Sequence, residues 1–230
     1  MTPRVILLPG LDGTGLAYRA LQSHLSPLDS SAIPLATRSA GYVADLHAAR
    51  ERLPKIGPYV LVAESYSGPI GISIAATNPP GLVGLVLSTT FLNCPRPYLG
   101  QLRLLLKLLP PIRVPTAPFV PLLLNSRSTP EARQLLSIVL HQASPKAMLA
   151  RLNDVATVDV ATEARSIEVP TLYLRASVDR VVPSSAGDAI QRHIPHAIIA
   201  ELAGPHLLLQ ACPHDAAKRI TEFSAAVCAS

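Results

Sequence analysis

Apolar residues along this chain follow two rhythms that alternate. Short, nearly unbroken apolar runs read as strands buried on both faces: RVILLP (4–9), YVLVAE (59–64), LVGLVLSTT (82–90), TLYLRAS (171–177) and AIIAELA (197–203). A sixth run, SAIPLA (31–36), is weaker, and Pro34 argues against a central place in a sheet. Between these runs the pattern changes to helical spacing at 16–26, 42–53, 67–78, 185–194 and 215–229. In YVADLHAARERL (42–53) apolar residues take one side and charges the other. Strands alternating with helices predict an α/β fold, a mostly parallel sheet covered by helices on both faces.

The rhythm breaks from about Phe91 to Ile167. No convincing strand occurs there, only Pro-rich turns and helical patches such as 131–143 and 145–155. The expected organisation is one domain over 1–230, with a helical, Pro-rich segment at 92–167 inserted after the fourth strand. Composition fits a globular chain: of 230 residues, 49% are hydrophobic and 15% charged. The net charge of +5 is mild, and no basic stripe interleaves with aromatics, so nucleic acid is not an expected partner. Cys94, Cys212 and Cys228 are odd in number and far apart, which predicts apolar filler rather than a disulfide framework or a zinc site. The stretch 104–124 is the most membrane-like, but Lys107, Arg113 and five prolines interrupt it. No transmembrane segment is expected, and with no targeting signal the expected location is the cytoplasm.

Functional groups of an open parallel sheet collect beyond the carboxyl ends of its strands. After the first strand comes PGLDGTG, and after the third, Ser65. The fifth strand leads into SVDRVVP with Asp179, and the sixth into AGPHLLLQ with His206. A serine, a carboxylate and a histidine therefore lie at strand ends, in that order. GLDGTG lacks the Lys-Ser/Thr of a phosphate-binding P-loop and has its glycines in the wrong order for a dinucleotide fingerprint. The strand ends carry no metal cluster and no cofactor motif, so no metal or cofactor is expected.

In these features the chain resembles the α/β-hydrolase superfamily, whose nucleophile sits in a G-x-S-x-G elbow and whose triad runs Ser, Asp or Glu, His. The elbow here reads Ala63-Glu64-Ser65-Tyr66-Ser67, with Gly68 one place late. Small volume is the physical requirement, because the turn presses a strand against a helix, and Ala and Ser meet it with less room. The resemblance implies a shortened sheet, without the two N-terminal strands common in the family. It implies Ser65 as nucleophile, His206 as base and Asp179 as the group that fixes the His206 tautomer. It also implies an oxyanion hole made by the backbone N–H groups of Leu11 and Tyr66.

Several rivals stand beside these residues. Ser67 is a second serine at the elbow, read as a cap or small elbow residue. Asp154 and Asp159 are alternative acids in the insertion; His193, His196 and His214 are alternative bases. Glu64 reads as support for a neighbouring loop. The resemblance also implies that the insertion forms a lid over Ser65; the segment is largely apolar, with Arg96, Arg103, Lys107, Arg113 and Arg127 and no acid between 95 and 128. Those cations have two readings: attraction of an anionic carrier or lipid surface, or solubility of a greasy segment. The expected activity is cleavage of small carboxylic esters with an apolar acyl or alcohol group, through an acyl-enzyme. Acyl transfer or acyl-carrier methyl ester hydrolysis on the same triad is the first alternative; a non-catalytic binding protein on a hydrolase scaffold is the second.

Overall fold

The structure is a computed structural model, and it describes residues 2–36, 41–96, 116–125 and 129–229. Its sheet has six strands in the order β2-β1-β3-β4-β5-β6. They are β1 (Arg4–Leu8), β2 (Ser30–Ala32), β3 (Tyr59–Glu64), β4 (Leu82–Ser88), β5 (Thr171–Ala176) and β6 (Ile198–Leu202). All five pairings are parallel, where the sequence predicts a mostly parallel sheet. The weak run 31–36 shares only residues 31 and 32 with the three-residue β2; that strand lies at the edge of the sheet, and Pro34 falls beyond its end.

Alternate residues of each strand enter opposite cores, the period-two signature of a sheet buried on both faces. Ile6 and Leu8 pack with Leu61 and Ala63 beneath α2 (Tyr42–Glu51) and α3 (Ser67–Ala75). Val5 and Leu7 pack with Val60 and Val62 beneath α1 (Arg19–Leu25) and a long C-terminal helix, Pro213–Ala229. The predicted helix at 16–26 begins as a 3-10 turn, Leu16–Tyr18, and becomes α-helical only from Arg19. Every residue of α3 is buried, so α3 is a central element that fixes whatever precedes it.

Between β4 and β5 the described residues are helical: α4 (Val120–Leu123), α5 (Pro130–Gln142), α6 (Pro145–Val155) and α7 (Ala161–Ala164), with one isolated bridge, Asn93 to Asp159. Ser144 and Thr129 cap α6 and α5 by accepting from the third N–H beyond them, and proline follows each cap. The chain closes with α8 (Ser184–His193), α9 (Leu208–Ala211) and α10, the helix Pro213–Ala229. Arg103, Lys107, Arg113 and Arg127 lie outside the described residues. Arg96 is committed within the chain, donating to the carbonyls of Val181 and Arg180. The expectation for the cysteines holds only at Cys212, which is buried; Cys94 is half-buried and Cys228 exposed. No helix among the described residues is long and apolar enough to cross a membrane.

Candidate active site

Ser65 stands between β3 and α3 with φ 50°, in the left-handed region that a non-glycine residue rarely adopts. The turn is held at both ends. The Ser65 N–H donates to Ser88 O at 2.9 Å, and the Ser65 carbonyl accepts from Gly68 N–H at 3.0 Å and from the Thr90 hydroxyl at 2.6 Å. The departures from the glycine pattern are compensated nearby. A Cβ on Gly71 would lie 2.7 Å from the Cβ of Ala63, so α3 meets β3 through Gly71 instead of through position 63. A Cβ on Gly68 would lie 1.8 Å from the Thr90 oxygen, so the late glycine makes room for that latch. Ser67 is fully buried. Its hydroxyl donates toward Leu8 O or Glu64 O and accepts from the Glu64 N–H, tying the elbow to the end of β1.

The predicted triad residues converge. Ser65 Oγ lies 3.0 Å from His206 Nε2, and His206 Nδ1 lies 2.8 Å from Asp179 Oδ2. The other oxygen of Asp179 accepts the N–H groups of Val181 at 2.7 Å and Val182 at 2.9 Å, so the carboxylate cannot rotate freely. The His206 and Asp179 side chains are only 4% and 7% exposed, which strengthens their electrostatic contact. The described part of the insertion borders both loops. Leu207 N–H donates to Leu123 O, and Arg180 donates to Pro121 O.

The two predicted oxyanion donors are oriented by stereochemistry. In a trans peptide the N–H points opposite to the C=O. The Gly10 carbonyl is held by Gly13 N–H at 3.1 Å and the Ser65 carbonyl by Gly68 and Thr90. The Leu11 and Tyr66 N–H groups therefore point the other way, and neither has a protein acceptor among the described residues. Gly10 lies against Ser65, where a Cβ would be 3.8 Å from the serine Cβ. In the same loop Asp12 accepts from the Thr14 N–H at 2.7 Å, an Asx-turn between Gly13 and Gly15, both with positive φ.

The rivals are engaged elsewhere. Asp154 accepts from Tyr42 N–H at 2.8 Å, and Asp159 accepts from Ala161 N–H at the start of α7. His193 and His196 meet the carbonyls of Ala189 and Val169, and His214 lies beside Asp215. Residues that sequence reasoning missed surround the site: Thr90, Tyr18, Gln210, Asp45 and Arg151. Two of them left a signal. Asp45 sits with Tyr42, Leu46 and Ala49 on the core-facing stripe of α2, and Arg151 sits between Ala147 and Val155 on that of α6. A charge at a stripe position reads either as a broken pattern or as a buried partner.

Glu64 is buried directly before Ser65. Its Oε2 lies 2.8 Å from the Tyr18 hydroxyl and accepts from Gln210 Nε2 at 2.8 Å. Tyr18 also donates to Leu8 O at 2.9 Å, and one phenol proton cannot serve two acceptors. Burial pushes the Glu64 carboxyl up from 4.5 to about 7, against the lowering effect of Gln210, Tyr18 and His206. Because the folded value is raised, the stability Glu64 contributes is complete below about pH 4.5 and is lost as pH rises through about 7. Glu64→Gln should therefore gain on the wild type by on the order of 3 kcal/mol between about pH 4.5 and 8. Urea melts of both proteins at the two ends of that range check this; a difference independent of pH would mean that Glu64 is not protonated on folding.

A family model described as serine aminopeptidase, S33 (Hydrolase_4), matches residues 36–203, a stretch that includes Ser65 and Asp179 and ends just before His206. No curated protein matches the sequence. Solved structures share the fold. A lipase-esterase related protein from Clostridium acetobutylicum superposes with TM-score 0.82 at 12% identity, over 96% of this chain and 94% of that one. An esterase from Thermogutta terrifontis gives 0.80 at 21% identity, over 98% and 90%. The enol-lactonase of Burkholderia xenovorans gives 0.80 at 15% identity, over 100% and 92%. At these identities the likeness is one of fold.

Proposed function

This chain belongs to the serine aminopeptidase, S33 family and has the α/β-hydrolase fold, and on that premise we propose that it cleaves carboxylic esters through an acyl-enzyme on Ser65. One observation carries the reading: the unbroken contact from Ser65 Oγ through His206 to Asp179, at 3.0 and 2.8 Å. Ser65 Oγ attacks the ester carbonyl carbon while its proton passes to His206 Nε2. Asp179 accepts a hydrogen bond from the Nδ1–H, which fixes the tautomer, and its charge stabilises the imidazolium. The carbonyl oxygen becomes an oxyanion facing the Leu11 and Tyr66 N–H groups, and donors of this kind typically contribute about 3 kcal/mol each. Collapse expels the alcohol, which takes the proton from His206. Water then repeats the sequence on the acyl-serine and releases the acid.

An apolar acyl or alcohol group is favoured by the described insertion, whose Val120–Leu123 helix lies against the loops of Asp179 and His206. The insertion thus acts as a lid. Acyl transfer uses the same residues with an alcohol in place of water.

The test is a fluorophosphonate probe followed by p-nitrophenyl esters of increasing acyl length, with an aminoacyl p-nitroanilide beside them. The probe is expected to modify Ser65 and abolish turnover, and the esters to be cleaved faster than the anilide. Modification mapped to Ser67 would overturn the assignment. Anilide cleavage exceeding ester cleavage would make the substrate a peptide, and ester products formed with added alcohol would make the enzyme a transferase.

A further inference from the structure

Arg151 and Asp45 form an ion pair that water hardly reaches, with side chains 1% and 0% exposed. Such a pair is a poor device for stability alone, since desolvation offsets much of the attraction, and apolar side chains of similar volume often serve as well. What the pair touches is more telling. The guanidinium is bidentate on Asp45, with Nε to Oδ2 at 2.8 Å and Nη2 to Oδ1 at 3.1 Å. Its remaining N–H groups donate to three backbone carbonyls: Leu11 at 3.2 Å, Asp12 at 3.1 Å and Ala36 at 2.7 Å. Asp45 Oδ2 also accepts the Tyr66 hydroxyl at 3.0 Å, while Asp154 Oδ2 lies 3.3 Å from that hydroxyl. The guanidinium carbon stands 5.8 Å from the centre of the Tyr66 ring. Both residues whose N–H groups face the oxyanion are therefore fastened to one buried cation, which is carried by α6 of the insertion.

We propose that Arg151 is a positioning residue for the oxyanion hole, holding the Leu11 loop directly and Tyr66 through Asp45. This rests on the ester-hydrolase reading and deepens it. The fork is what the task requires. One planar group with five donors spans a carboxylate and three carbonyls at once, and the compact ammonium of a lysine cannot. Gly13 is part of the same device, since a Cβ there would lie 2.2 Å from Arg151 Nη1. Two donors 55 residues apart in sequence thus keep one separation, which matters because the oxyanion is bound only if both reach it together.

The test uses the full chain with Arg151→Lys and Arg151→Gln. Four quantities are read for each: kcat and KM on p-nitrophenyl butyrate, the Ki of butylboronic acid, which forms a tetrahedral adduct on the serine, and the Ki of the uncleaved N-methyl butyramide. The lysine variant keeps a charge beside Asp45 and loses the fork. It is expected to lose roughly tenfold to a hundredfold in kcat and in boronate affinity together, while KM and amide affinity change less than about threefold. A purely structural ion pair would lower the melting temperature and leave boronate affinity and kcat unchanged; that result overturns the proposal. So does equal weakening of boronate and amide, or a lysine variant that does not fold. If the glutamine variant alone fails to fold, the lysine variant decides. A wild-type protein that neither turns over the ester nor reacts with fluorophosphonate at Ser65 would instead overturn the functional reading, and this inference with it.

Discussion

Ser65→Ala, His206→Ala and the double variant are each expected to lower kcat on a good ester by about five to six orders of magnitude, to nearly the same floor. The three should agree because the proposed nucleophile and base act as one unit. With Oγ gone, His206 has no proton to take; with the imidazole gone, a serine hydroxyl is a weak nucleophile at neutral pH. The 3.0 Å contact between Ser65 Oγ and His206 Nε2 is the physical link that makes the losses non-additive. The floor itself should stay above the uncatalysed rate, since substrate binding and the Leu11 and Tyr66 donors remain. Single-turnover measurements with p-nitrophenyl butyrate provide the comparison. Losses that multiply in the double variant would show the two residues acting independently and would dissolve the proposed pair. Ser67→Ala should leave kcat within a few-fold, because its hydroxyl is buried and spent on Leu8 and Glu64.

Asp179→Asn carries the second large effect, about 10⁴-fold in kcat with the fold retained. Here the backbone decides the outcome. The N–H groups of Val181 and Val182 donate to one carboxylate oxygen at 2.7 and 2.9 Å, and only an oxygen can accept them. The asparagine must therefore keep its carbonyl on that side and turn its NH₂ toward His206 Nδ1. That nitrogen would then accept, so the imidazole would carry its proton on Nε2, the atom that has to take the proton of Ser65. The charge that stabilises the imidazolium is lost as well. Unfolding curves superimposable on wild type, alongside the lost turnover, would establish the tautomer effect. Near-normal turnover would reduce Asp179 to a turn residue.

The sheet, its helices and the Ser65, Asp179, His206 order were readable from local pattern because each depends on near neighbours in sequence. Strand runs are marked by unbroken apolar residues, helices by their spacing, and in a parallel sheet the functional end of every strand is known once its direction is known. The run YVLVAE became β3 with its predicted bounds, and Ser65 followed at its end. The replacement of the elbow glycines by Ala63 and Ser67 was equally visible, but its consequence was not. Only packing brought Gly71 against Ala63 and Gly68 against Thr90, and so showed how the turn stays tight. The same limit hid the buried polar contacts. Asp45 and Arg151 are 106 positions apart, and Glu64 and Gln210 are 146 apart. Periodicity marks which face of an element is buried but carries no information about which distant face it meets. Sequence by itself therefore determined which residues turn inward and the order in which Ser65, Asp179 and His206 follow their strands. Tertiary structure alone decided which charges pair inside, because a buried charge is tolerated only where the folded chain brings it a partner.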